Sequence, residues 1–95
     1  MQKHERLIRD ELIGRTVEVI GSANKASVGI KGCVLDETRH LLVIETDKGV
    51  RKIPKMGNIF QISYLGEKVN VKGELLFGAP AERIKAKVKN ENRCK

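Results

Sequence analysis

Aromatic residues are scarce in this chain: one tyrosine, two phenylalanines and no tryptophan. Proteins that read single-stranded RNA on a sheet need exposed rings on which splayed-out bases stack. Here Phe60 and Tyr64 alternate on what reads as an inward strand face, which leaves only Phe77, so that mode of recognition is disfavoured. Cysteine is as sparse. Cys33 and Cys94 show no CxxC spacing and no histidine at ligand distance, which argues against a zinc site within the chain. Cys33 lies in an apolar strand pattern and reads as a small core residue; a disulfide to Cys94 stays open as an alternative, although nothing suggests a secreted disulfide scaffold. No apolar run approaches the roughly 20 residues of a membrane span, and mean hydropathy is -0.33. Met1 to Arg6 lead into a charged helix pattern and not into the apolar region of a signal peptide. A soluble, cytoplasmic protein with no membrane partner is expected.

What is abundant is positive charge. Nineteen Lys and Arg face 12 Asp and Glu, a net charge of +7. Such a surplus favours polyanionic partners, nucleic acid or an anionic membrane face. From Arg83 onward six basic residues meet one acid, Glu91, so over half of the surplus lies at the C-terminal end.

Ninety-five residues suffice for one hydrophobic core, and a single domain over 1–95 is expected. Leu7, Ile8 and Leu12 fall at helical spacing and predict a helix over about 3–13, stopped by Gly14 in a left-handed position. From Thr16 the period changes to two. Val17 and Val19 alternate with Thr16 and Glu18; Val28, Ile30 and Val34 share a face; Phe60, Ile62 and Tyr64 alternate with Gln61 and Ser63; Val69 and Val71 alternate with lysines and Asn70. Leu41 to Thr46 is apolar on both faces, the pattern of a strand covered on both sides. Val50 to Ile53 is short, and Pro54 marks its end or a sheet edge.

Short turns at Asp36–His40, Asp47–Gly49 and Gly66–Glu67 join these runs as antiparallel neighbours. Six such strands over about 15–73 predict a mostly β protein built as a small closed or nearly closed barrel. Gly29, Gly32 and Gly73 suit its bends, and because a strand follows Gly32 where a phosphate loop needs a helix, the Gly29-x-x-Gly32 pair reads as curvature. A second helix is expected over about 80–90, opened by Pro80, with a thin stripe of Ala81, Ile84 and Val88 and basic rows at i, i+4 spacing; residues 91–95 read as a polar tail.

No constellation for catalysis or metal binding emerges. The acidic pairs Asp10-Glu11 and Asp36-Glu37 are sequence neighbours whose side chains diverge, and Asp36 suits a turn that bonds local amides. A nuclease cluster of Asp36, Glu37, Arg39 and His40 is the enzymatic alternative. Binding is better supported, because nearly every connection carries a cation. Lys25, Lys31, Arg39, Lys52, Lys55, Arg83 and Lys87 are the candidates for RNA phosphate contacts. Leu7, Ile8, Leu12, Ile84 and Val88 are candidates for a protein partner or for packing on the barrel. With few exposed rings, the expected ligand is folded RNA recognised through backbone and shape.

These same residues carry a family resemblance. Asp10 to Gly14 followed by Val17 to Ile20, the block Ser27 to Arg39, the strand Leu41 to Thr46, the segment Lys52 to Lys55 and the closing segment Gly73 to Arg83 resemble, in order, the archaeal ribonuclease P protein component 1 family. The similarity spans about Leu7 to Lys89. Asp10 stands where that family commonly has a basic residue or histidine, and His40 where it commonly has asparagine in the turn; histidine tolerates the left-handed conformation better than most residues. The resemblance implies a six-stranded Sm-like barrel with N- and C-terminal helices, in a ribonucleoprotein that removes the 5′ leader from precursor tRNA. It further implies that the RNA holds the catalytic Mg2+ ions, that the protein binds none, and that its partners are ribonuclease P RNA, precursor tRNA and a zinc-ribbon protein subunit. A general small-barrel RNA-binding or ribosome-associated protein is the alternative on the same fold.

Overall fold

The computed structural model describes Leu7 and residues 10–78. Six strands follow one another: β1 (Thr16–Ser22), β2 (Lys31–Glu37), β3 (Leu41–Thr46), β4 (Gly49–Pro54), β5 (Asn58–Tyr64) and β6 (Glu67–Lys72). They form one antiparallel sheet in the order β4-β3-β2-β1-β5-β6. The period-two segments supply these strands because a strand with one buried face keeps its alternation in the sequence. β5 shows it best: Phe60, Ile62 and Tyr64 are buried, while Ile59 and Ser63 are exposed. Leu41 to Thr46 is less symmetric than its composition suggests, with Leu42 and Ile44 fully buried and Leu41 and Val43 half-buried. β4 lies at an edge, where Pro54 removes no ladder bond that the sheet needs.

Of the closed or nearly closed barrel expected, the closed form is not what the ladders give. Among the described residues no ladder joins β4 to β6, so the sheet is open with those strands as its edges. Curvature is nevertheless built in. Register shifts interrupt β1 between Val19 and Gly21 and β2 between Val34 and Asp36, and bulges of this kind bend a strand. Gly32 lets β3 come close: a Cβ there would lie 2.0 Å from the Glu45 carbonyl oxygen. The core on the inner face takes Val17, Val19, Val34, Leu42, Ile44, Ile53, Phe60, Ile62, Tyr64 and Val71, and Leu7, Leu12 and Leu76 pack into it.

The N-terminal helix stops earlier than residue 13. Of its predicted span only Leu7 and residues 10–13 are described: Leu7 is helical, Asp10 lies in a bend and Ile13 enters a turn. Asp10 ends any helix locally, because its carboxylate accepts the Glu11 N–H at 2.7 Å, the Arg15 guanidinium at 3.2 Å and the Tyr64 hydroxyl at 3.0 Å. Gly14 then turns the chain with φ 91°, as expected of a left-handed glycine. The predicted helix over 80–90 and the tail lie outside the described residues.

The β5–β6 hairpin turns through Leu65 and Gly66, with φ of 50° and 81°. Positive values at both central positions are those of a type I′ turn, whose twist matches the strands it joins. Beyond β6, a short 3-10 turn at Gly73–Leu76 brings the chain back against the loop leaving β4, where buried Gly73 lies against the backbone of Lys55. The Gly78 N–H then donates to the Arg39 carbonyl at 3.1 Å, fastening the end of the described chain to the β2–β3 turn.

Candidate nucleic-acid interface

Of the seven basic residues expected to meet phosphates, Lys25, Lys31, Arg39 and Lys52 are exposed. Arg83 and Lys87 lie outside the described residues. Lys55 is corrected: its side chain is fully buried, with Nζ 2.7 Å from Glu37 Oε2 and 2.9 Å from the Gly78 carbonyl oxygen. A lysine so enclosed stabilises the fold and is not presented to a ligand. Burial of a charge requires a partner of opposite sign and good hydrogen bonds, and Glu37, likewise fully buried, supplies both. Of the candidates for a partner interface, Leu7 and Leu12 are buried in the core and so pack within the chain; Ile8, Ile84 and Val88 lie outside the described residues.

The remaining cations are not spread evenly. Lys31 at the start of β2, Lys48 in the β3–β4 turn and Arg51 on β4 line one groove of about 580 Å³, together with the chain at Val28 to Ile30. Lys48 and Arg51 are not among the seven candidates that the sequence singles out and belong only to its general surplus of positive charge. Their alignment depends on the hairpin register, in which Thr46 pairs with Gly49 and Ile44 with Arg51. That register is legible once the two-residue turn is recognised, but its proximity to Lys31 is not, since the β1–β2 connection approaches from elsewhere in the chain.

The β2–β3 turn does not form a nuclease site. Asp36 accepts the Glu37 N–H at 2.8 Å, Glu37 points inward to Lys55, and the His40 ring stands edge-on to Phe77 with centroids 4.9 Å apart. The acids and the histidine are thus committed to different neighbours. Among the described residues no group of three His, Cys, Asp or Glu is placed to hold a metal ion. His40 does not use the left-handed conformation foreseen for it: Leu65 is the one non-glycine with positive φ among the described residues. Cys33 lies half-buried on β2.

Asp10, one of the two residues that depart from the resembling family, has a local explanation. Besides its bonds to Tyr64 and Arg15, the Arg15 guanidinium lies 4.6 Å from the Tyr64 ring centroid. The three residues form a clasp that holds the chain before β1 against the end of β5, joining charge, hydrogen bond and cation–π contact.

Comparison with known proteins agrees with this geometry. The family model described as ribonuclease P/MRP, subunit p29, matches residues 5–86. Ribonuclease P protein component 1 of Methanocaldococcus jannaschii is 50% identical over 84 residues, covering 87% of this chain and 88% of that protein. The Archaeoglobus fulgidus protein of the same name is 44% identical over 79 residues, covering 83% of this chain and 78% of its own. A solved structure of a homologue of the human RNase P protein Rpp29 is 41% identical, with a TM-score of 0.57 over 80% of this chain and all of the other. On sequence and fold alike, this chain belongs to the ribonuclease P/MRP subunit p29 family.

Proposed function

We infer that this chain is the RNA-binding protein subunit of ribonuclease P and is itself noncatalytic. The observation that carries this is the match to ribonuclease P protein component 1 across most of both chains, on a sheet whose exposed turns bear cations. Acting on folded ribonuclease P RNA through phosphates and shape, it supports the RNA fold and the recognition of precursor tRNA whose 5′ leader is removed. The catalytic Mg2+ ions belong to the RNA in this reading. The chain's part is to bind and orient RNA. A zinc-ribbon protein subunit is the protein partner, and the particle works in the cytoplasm. The described residues include no helix long and apolar enough to cross a membrane.

Binding to ribonuclease P RNA should be electrostatic and salt-sensitive. With about six phosphates contacted, log affinity should fall against log salt with a slope of roughly −4 to −5. Titration of the full chain into labelled RNA at several salt concentrations measures it. A slope near zero, or no binding, would remove the electrostatic account.

A further inference from the structure

We propose that the groove between the β1–β2 connection and the β3–β4 hairpin is a clamp for the sugar-phosphate backbone of folded RNA, with Lys31, Lys48 and Arg51 as its phosphate ligands. The proposal rests on the RNA-binding reading and adds to it a place and a set of residues.

Convergence is the first argument. The three cations come from the start of β2, from a turn and from an edge strand, and they line one concavity of about 580 Å³. Asp47 is the one acid on its wall. Among the described residues no salt bridge engages Lys31, Lys48 or Arg51, and Glu18, which stands opposite Lys31 in the ladder, makes no ion pair with it. Three cationic residues lining one concavity, with a single acid beside them, give it a positive potential that favours an anion.

The shape of the wall is the second. Gly29 has φ +94° and nothing within 4 Å of the position a Cβ would take, so a ligand can approach the bare backbone there. Val28, beside it, is half-exposed at 48%, an apolar side chain suited to the face of a ribose between two phosphates. Arg51 lies on edge strand β4, where alternate peptide groups point away from β3 and add neutral donors to the charged ones.

Preorganisation is the third. The Thr46 hydroxyl accepts the Lys48 N–H at 3.1 Å and donates to the Gly49 carbonyl at 2.7 Å, so the backbone carrying Lys48 is held without a ligand. A fixed turn loses less conformational entropy on binding.

The test compares three full-length proteins for binding to ribonuclease P RNA across a salt series: the parent, the triple variant Lys31→Ala/Lys48→Ala/Arg51→Ala, and a control, Lys68→Ala/Lys72→Ala, on the opposite edge strand. All five positions are exposed, and circular dichroism with thermal melts verifies that each variant folds. The triple variant should bind at least about tenfold more weakly near 0.1 M salt, with its log–log slope shallower by about 2, while the control changes less than about threefold. Inorganic phosphate at millimolar concentration should not displace the RNA, because a clamp for a strand uses several phosphates at once. A parent that binds with the expected slope alongside an unchanged triple variant would overturn the groove and leave the RNA-binding reading standing. A parent that does not bind overturns both. An equal loss in the triple variant and the control overturns the groove in favour of diffuse charge.

Discussion

Lys55→Met is expected to lower the unfolding free energy by about 3–5 kcal/mol, the usual consequence of removing one member of a buried ion pair. Both side chains of the Lys55–Glu37 pair are fully buried, and the lysine also donates to the Gly78 carbonyl. Methionine fills similar volume but offers neither charge nor donor, so the Glu37 carboxylate would remain in the core without its cation. The double variant Glu37→Leu/Lys55→Met should recover most of the loss, because desolvating two charges is itself costly and a packed apolar pair avoids it. Lys52→Met, three residues earlier and exposed, should stay within about 0.5 kcal/mol of the parent. Urea unfolding of the three variants gives the comparison through their midpoints at constant m. A Lys55→Met protein as stable as Lys52→Met would mean that Lys55 faces solvent, and would return it to the candidate RNA ligands.

Gly73→Ala should be comparably severe, at about 3 kcal/mol or more, through overpacking. A Cβ at Gly73 would stand 1.5 Å from the Lys55 carbonyl oxygen and 2.5 Å from its carbonyl carbon, with the Asn58 oxygen at 3.1 Å. These are backbone atoms, so no rotamer change relieves the clash, and either the 3-10 turn or the loop after β4 must move. Moving that loop also disturbs the Asn58 side chain, which donates to the Pro54 carbonyl at 2.6 Å, and the Lys55 amide, which donates to the His40 carbonyl at 2.8 Å. For a domain of this size the melting temperature should fall by about 12–24 °C. Gly66→Ala makes an instructive comparison, since nothing lies within 4 Å of its Cβ position and only its left-handed φ of +81° is penalised. Its loss should be about 1–2 kcal/mol. Equal melting temperatures for the parent and Gly73→Ala would show that the close approach is absent in solution.

The two expected effects meet at one place in the fold. The loop after β4, the β2–β3 turn and the segment after β6 are joined by Lys55, Glu37, Gly73 and Gly78, and none of these contacts is local in sequence. This accounts for what the sequence reading reached and what it did not. Strands such as β5 are legible because burial of Phe60, Ile62 and Tyr64 imposes a period of two on adjacent residues. The turn at Asp47 and Lys48 is legible for the same local reason. Lys55 is not, because the segment Lys52-Ile53-Pro54-Lys55 looks like an exposed basic run unless Glu37, 18 residues away, is known to lie beside it. Closure of the sheet is another non-local property: six short strands with short turns suit a barrel, yet whether the first and last edges pair depends on curvature summed over every strand. Asp10 shows the opposite error, a helix extended by periodicity through a residue whose side chain takes the Glu11 amide and the Tyr64 hydroxyl. The candidate interface divides in the same way. Cationic turns are visible as composition, but the gathering of Lys31, Lys48 and Arg51 around one groove needs the fold.

The central claim, an RNA-binding subunit with no catalytic centre of its own, is tested most directly by reconstitution. Precursor tRNA cleavage is measured with this chain alone, with ribonuclease P RNA alone, and with the two combined together with the other protein subunits, all at modest Mg2+. The account predicts no cleavage by the chain alone and a faster release of the 5′ leader when it is added to the RNA-containing mixture. Cleavage by the purified chain with Mg2+ and no RNA subunit, or an RNA-containing mixture indifferent to its addition, would contradict it.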